Sequence, residues 1–254
     1  MENWRKILII IILVGCGFGI DIIIKDKQKS DTMPVASEPT AVVPAPVPET
    51  VPAQTSKEPK PTIKYEVFLN IPFTSQAPYA DWDELHNEAC EEASVIMINE
   101  YLNGNHDATI PTAEAEKQIQ NMVAWEIETL GSHKDLTAQE TVNYLAKRYL
   151  GRSDAKIYDF SIDDIKAKLS AGIPVIVPAA GRLLGNPNYK QPGPVYHMLV
   201  IKGYDDKHFI TNDSGTRKGR SYEYTFERVQ YAAHDWNGSP DNINSGPKVF
   251  FTLN

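Results

Sequence analysis

Cysteine is nearly absent from this chain, with two in 254 residues. Cys16 lies in an apolar terminal run and Cys90 lies much farther along, so their placement argues against a structural disulfide. An excess of positive charge is missing as well. The net charge is −8 at pH 7, which leaves no basic face for phosphate backbones and excludes nucleic acid as a partner. Metal-ligand spacing is also lacking. His86, His106, His133, His208 and His234 form no H-x-x-x-H pattern, so no metal site is expected.

What is present divides the chain in three. Residues 7–24 are isoleucine-rich, broken only by Asp21 and preceded by Arg5 and Lys6. That is the layout of a signal segment or N-terminal membrane anchor over residues 1–30. Leu13-Val14-Gly15-Cys16 resembles a bacterial lipobox, so lipidation at Cys16 is the alternative to an uncleaved anchor. Residues 31–62 are rich in Pro, Val, Ala, Thr and Glu, as in PTAVVPAPVPETVPAQ. This composition buries too little to offset ordering and reads as an extended linker. Residues 1–62 hold seven basic and seven acidic side chains, so the domain at 63–254 carries the whole negative charge. The expectation is an acidic domain outside the cytoplasm, held at a membrane by a tether.

Inside that domain, Cys90 opens the apolar helical run CEEASVIMINEYL, where Ala93, Ile96, Met97, Tyr101 and Leu102 share a face and Gly104 signals a stop. A thiol in the first turn feels the positive end of the helix dipole, which favours the thiolate. Glu91 and Glu92 suit the same turn but oppose a thiolate, and they are expected to be solvated and turned elsewhere. Thr137 with Glu140, and Ser161 with Asp164, mark the starts of two later helices closed by Gly151 and Gly172. Pro174 leads into the strand VIVP. From there the chain is strand-rich, so the order is α+β rather than alternating βαβ.

The runs Tyr196 to Tyr204 and His208 to Asn212 form a hairpin joined at Asp205-Asp206, and SGTRKGR turns the chain into SYEYTF. His197 then lies nearly opposite Asp213. A strict two-residue turn would put the two side chains on opposite faces, whereas a bulge or an odd-length loop pairs 213 with 197 on one face. Thiolate attack needs a base within hydrogen-bond reach, and that base needs a third group on its other ring nitrogen. Cys90, His197 and Asp213 supply these types, with Asn212 as the substitute for the third.

Four segments, NIPFTSQAP, EACEEASVIM, GPVYHMLVIKGYDD and FITNDSGTRKG, together resemble a bacterial peptidase family related to the double-glycine leader peptidases of bacteriocin exporters, a branch of the papain-like superfamily. The resemblance spans about residues 66–236. It implies a papain-like fold, with the thiol on a central helix and the base on an antiparallel sheet, and no metal or organic cofactor. It implies Cys90 as nucleophile, His197 as general base and acid, and Asp213 as the orienting group. Gln76 would supply an oxyanion-hole amide beside the Cys90 N–H. Two departures stand out: Gln76 is fourteen residues before the cysteine, with Trp82 between, and Glu91 replaces the glycine common after the thiol.

Trp82 and Tyr196 are the candidate substrate-binding residues. Trp125 is a weaker candidate than a core position, and the loop AAGRLLGNPNYKQPGP before the base is a candidate subsite wall or lid. The leading expectation is a cysteine peptidase acting on a peptide or protein through an acyl-enzyme. A peptidoglycan amidase or transglutaminase-like acyl transferase would use the same residues. A non-catalytic binding domain would keep the fold without the chemistry. Nothing in the sequence fixes an oligomeric state.

Overall fold

The computed structural model describes residues 62–254. The expected anchor at 7–24, Cys16 and most of the proline-rich linker lie outside the described residues. Among the described residues no helix is long and apolar enough to cross a membrane.

The α+β order is observed. A short strand β1 (Val67–Phe68) and one-turn helix α1 (Glu84–Asn87) lead into α2 (Cys90–Leu102) and α3 (Thr112–Leu130). Next comes α4 (Ala138–Glu140), which continues without a break as a π-helix over Thr141–Tyr149. The strand-rich half holds β2 (Lys156–Asp159), α5 (Ile162–Ser170), β3 (Val175–Ala180), α6 (Gly181–Leu184), β4 (Tyr196–Tyr204), β5 (His208–Asp213), β6 (Arg220–Thr225) and α7 (Phe226–Ala232). A 3₁₀ turn at Pro240–Ser245 precedes β7 (Val249–Thr252).

Local chemistry accounts for most boundaries. Thr137 and Glu140 form the full reciprocal capping box at the start of α4. Ser161 caps α5 by accepting from the Asp164 N–H at 3.2 Å. The carboxylate of Asp205 accepts from the N–H groups of Lys207 and His208 at 2.7 and 2.6 Å, which shapes the β4–β5 turn. The wide winding of 141–149 is the one departure among the expected helices, with Leu150 N–H reaching Leu145 O at 2.9 Å. Nine residues are too few for apolar spacing to separate the two windings.

The strands form one antiparallel sheet in the order β2-β7-β3-β4-β5-β6, with β1 added against the far end of β4. Both faces are covered. Ile176, Met198, Val200 and Phe251 point to the side packed by α2, α3 and the π-helix. Val175, Val177, Leu199, Ile201 and Phe250 point to the side packed by α5, α6 and α7. Every residue of β3 and β4 is therefore buried; β3 reads as an unbroken apolar run rather than as alternation, and β4 does so apart from His197 and Lys202.

A bulge at Lys202 sets the register of the hairpin. Tyr204 pairs with Phe209 and Gly203 with Ile210, but beyond the bulge Ile201 pairs with Thr211 and Leu199 with Asp213. The expected irregularity is present, with a different partner. Asp213 faces Leu199 rather than His197, and His197 lies two residues along on the same face.

Gly203 sits where β1 crosses β4, and a Cβ there would come within 2.3 Å of Val67 O. Gly203→Ala is expected to cost about 1–3 kcal/mol by overpacking. A lowered chemical-denaturation midpoint with an unchanged slope is the expected result, and an unchanged midpoint would show that β1 yields freely.

Candidate functional site

His197 enters near the start of β4 and Asp213 ends β5, so the register places both at one end of the sheet. His197 Nε2 lies 2.8 Å from Asp213 Oδ1. Asp213 has no exposure to solvent and collects four further donors. The Gly215 N–H reaches Oδ1 at 3.0 Å, while Asn186 Nδ2, the Tyr189 hydroxyl and the Tyr224 hydroxyl reach Oδ2 at 2.9, 2.7 and 2.6 Å. Burial alone would push the Asp213 carboxyl up, but His197 and these donors hold it below its ordinary value. The Tyr189 ring stands edge-on to the imidazole at 5.6 Å. Gly215 allows the close approach, since a Cβ there would meet His197 Cε1 at 2.9 Å.

Asn212 is turned to the opposite side of β5. Its amide donates to Ile71 O at 3.1 Å and Pro72 O at 3.4 Å, which fastens the NIPFTSQAP segment to the sheet. Gln76 N–H donates to Ser214 O at 3.0 Å. The Gln76 side chain donates through Nε2 to His86 O at 2.8 Å and Asn87 O at 3.1 Å, and its Oε1 accepts from the Ser214 hydroxyl at 3.4 Å. Gln76 thus joins the end of β5 to the segment entering α2. Both of its amide hydrogens are already engaged there.

Cys90 is the first residue of α2 and is 3% exposed. Its surroundings differ from the expectation. Glu91 and Glu92 are each 1% exposed rather than solvated. The thiol donates to Glu91 Oε2 at 2.9 Å and makes no hydrogen bond to His197. Glu91 is fixed in turn, because its Oε1 accepts from the Leu136 N–H at 2.9 Å. Burial pushes the Cys90 thiol well above its ordinary value, and the Glu91 carboxylate adds to the rise. Burial likewise pushes Glu91 well up, helped by Glu92 and Asp135.

Cys90, His197 and Gln76 all line one cleft of about 890 Å³. Trp82 and Tyr196 line it too, and Trp236 and Asp135 complete the wall near Cys90. Tyr196 is only 4% exposed, with its hydroxyl donated to Leu136 O and Asp235 Oδ1 at 3.0 Å each and its ring tilted against Trp236. It is a fixed wall, whereas half-buried Trp82 presents an open one. The opposite side is built by residues 187–195 of the loop after α6, together with 215–218 after β5. That loop therefore is a cleft wall. Trp125 is not among the lining residues and packs on Tyr149 with ring centroids 5.4 Å apart.

Several residues here carried no sequence signal. Asn186, Tyr189 and Tyr224 come from a loop and a distant strand, and only the fold brings them to Asp213. Glu92, Glu126 and His133 converge behind Cys90 from three separate segments. Burial, with the Glu92 charge beside it, pushes Glu126 up to about 10.

A family model described as "Peptidase_C39 like family" matches residues 68–241. A search of curated proteins returns no significant match. Among solved structures, a C39-like peptidase candidate from Bacillus anthracis aligns with a TM-score of 0.48 at 18% identity, covering 75% of this chain and 98% of that one.

Asp213 carries a testable pH signature. Its folded value lies below the ordinary 3.8, so its contribution to stability is full above about pH 4 and is lost as pH falls through the folded value. Asp213→Asn is expected to lose up to about 3–5 kcal/mol at pH 7. The gap to the parent chain should close on the acid side. A gap that stays constant down to pH 2.5 in denaturant titrations would contradict an ionised Asp213.

Proposed function

The chain belongs to the Peptidase_C39 like family, and from that premise we propose that it is a membrane-tethered, extracytoplasmic cysteine peptidase. Cys90 attacks a peptide carbonyl carbon, and His197 takes the thiol proton on Nδ1 while Nε2 stays on Asp213. The tetrahedral oxyanion collapses to a thioester as His197 returns the proton to the leaving amine. Water, deprotonated by His197, then releases the acid and restores the thiol. The Cys90 N–H, at the first helical position and without an intrahelical partner, donates to the oxyanion. Gln76 Nε2 joins it once the longer of its two bonds, to Asn87 O at 3.1 Å, is given up. The isoleucine-rich run at 7–24 and the linker behind it support a tether.

The observation that carries this reading is the His197–Asp213 bond at 2.8 Å, which leaves Nδ1 as the ring nitrogen free for a thiol on the same cleft. The thiol must first exchange Glu91 for His197. In this reading Glu91→Gln keeps an acceptor for the Leu136 N–H while removing the carboxyl group that adds to the rise of the thiol. Iodoacetamide labelling of Cys90 at pH 7 is expected to quicken about tenfold in Glu91→Gln, corresponding to a fall of about one pKa unit. Unchanged labelling would show that Glu91 does not restrain the thiol.

A second reading, a binding domain that keeps the fold, is favoured by the Cys90–Glu91 bond and by the engaged Gln76 amide. A peptide library and isolated cell-wall stems, each offered to the parent chain and to Cys90→Ala and His197→Ala, separate the cases. Peptide cleavage that falls about 10⁴-fold or more in both variants is the expected result. Cleavage of stems alone would move the assignment to an amidase. Binding without turnover, equal in the parent and Cys90→Ala, would establish the binding domain.

A further inference from the structure

We propose that Glu92, Glu126 and His133 form a buried site for a divalent cation of the zinc type, behind the cleft and separate from the reacting groups. Glu92 stands in the first turn of α2, Glu126 near the end of α3, and His133 in the segment joining α3 to α4. One ligand atom from each lies within 4.8 Å of the others, and His133 Nε2 is 3.0 Å from Glu92 Oε1. Glu126 is 0% exposed and Glu92 1%. Neither oxygen of Glu126 has a hydrogen-bond partner, nor does Glu92 Oε2, nor does His133 Nε2 despite its distance from Glu92.

Three buried carboxylate oxygens without a donor, set beside an imidazole nitrogen 3.0 Å from Glu92 Oε1, need an explanation, because burial has cost them their water. No lysine or arginine among the described residues forms an ion pair with either carboxylate. A divalent cation would neutralise both carboxylates and use the imidazole lone pair at once. Two carboxylates and one imidazole, with a fourth position for water, suit Zn²⁺ first and Mn²⁺ second. Ca²⁺ takes six to eight oxygens and is poorly served by three ligands, one of them nitrogen. The segment that carries His133 also carries Asp135, on the cleft wall, and Leu136, whose N–H holds Glu91. A cation here would fasten that segment to the first turn of α2 and fix the ground on which the Cys90 side of the cleft stands. The rival arrangement is a single proton shared between Glu92 and Glu126.

The test uses the full-length chain with Cys16→Ala and Cys90→Ala, so that no thiol competes for metal, stripped with chelator and titrated calorimetrically with ZnCl₂, MnCl₂ and CaCl₂. One equivalent of Zn²⁺ per chain, bound at least about tenfold more tightly than Ca²⁺ and accompanied by a rise in thermal midpoint, is expected. Adding Glu126→Gln should weaken Zn²⁺ by at least about tenfold and cancel the rise. Glutamine copies a protonated carboxyl, so this variant keeps its fold under the shared-proton arrangement. His133→Asn provides the same reading should Glu126→Gln fail to fold. Absence of saturable binding, binding unchanged in these variants, or Ca²⁺ bound as tightly as Zn²⁺ would overturn the proposal.

Discussion

Asp213 is wholly enclosed yet held below its ordinary value, and both facts follow from one condition: its two oxygens must find all their partners inside the protein. A buried carboxylate left short of donors would take up a proton or reopen to water. Five donors from four places meet the condition, namely His197 on β4, Asn186 and Tyr189 in the loop after α6, Gly215 just past β5, and Tyr224 on β6. Each donor fixes its own segment as it satisfies the charge. The loop after α6 is thereby set as a cleft wall, the turn after β5 is drawn under the imidazole, and the imidazole keeps one orientation. Gly215 is the steric counterpart of this arrangement, because a larger residue would occupy the space of the ring.

The other side of the cleft is organised by the opposite electrostatics. Around Asp213 the donors outnumber the charge, whereas around Cys90 the acceptors do. Glu91, Glu92 and Asp135 stand near enough to raise the thiol, Glu126 lies beside Glu92, and burial pushes each of the four carboxyls up. A buried thiol among carboxyl groups that themselves resist ionisation keeps its proton, and the helix dipole is too small a term to reverse this. The two halves of the site are thus unequal. His197 and Asp213 are held in one fixed arrangement, while the Cys90 thiol rests on the neighbouring Glu91 carboxyl. In the proposed reaction, exchange of the thiol between Glu91 and His197 is the step on which reactivity would turn, and a change in charge behind α2 would alter that step.

Much of the sheet was legible because its signals are local. The boundaries of β4 follow from a β-branched and aromatic run, and the turn at Asp205 follows from a side chain that caps its own backbone. The bulge at Lys202 was inferable from the requirement that His197 and Asp213 share a face, but the partner of Asp213 was misplaced by two residues because sequence does not say where in a strand the extra residue falls. Burial of Glu91 and Glu92 was not legible. A carboxylate in the first turn of a helix is ordinarily a solvated complement to the dipole, and only the packing of the α3–α4 segment over that turn removes the water. The convergence of Glu126 and His133 on Glu92 was hidden for the same reason, since the three residues share no spacing.

The last strand shows how these unequal halves are kept in register. β7 lies between β2 and β3, so it joins the strand that follows the helical half to the strand that leads into the cleft. Its two adjacent phenylalanines point in opposite directions: Phe251 into the core shared with α2 and α3, Phe250 into the core shared with α5 and α7. Because successive residues of a strand alternate faces, a slip of one residue would exchange the two rings and disrupt both cores together. The thiol belongs to the first core, through Cys90 and Tyr196, and His197 with Asp213 lies on the face of the second, through Leu199 and Tyr189. The geometry between Cys90 and His197 is therefore a property of the whole sheet, and it is fixed by the register of β7 as well as by the residues that line the cleft.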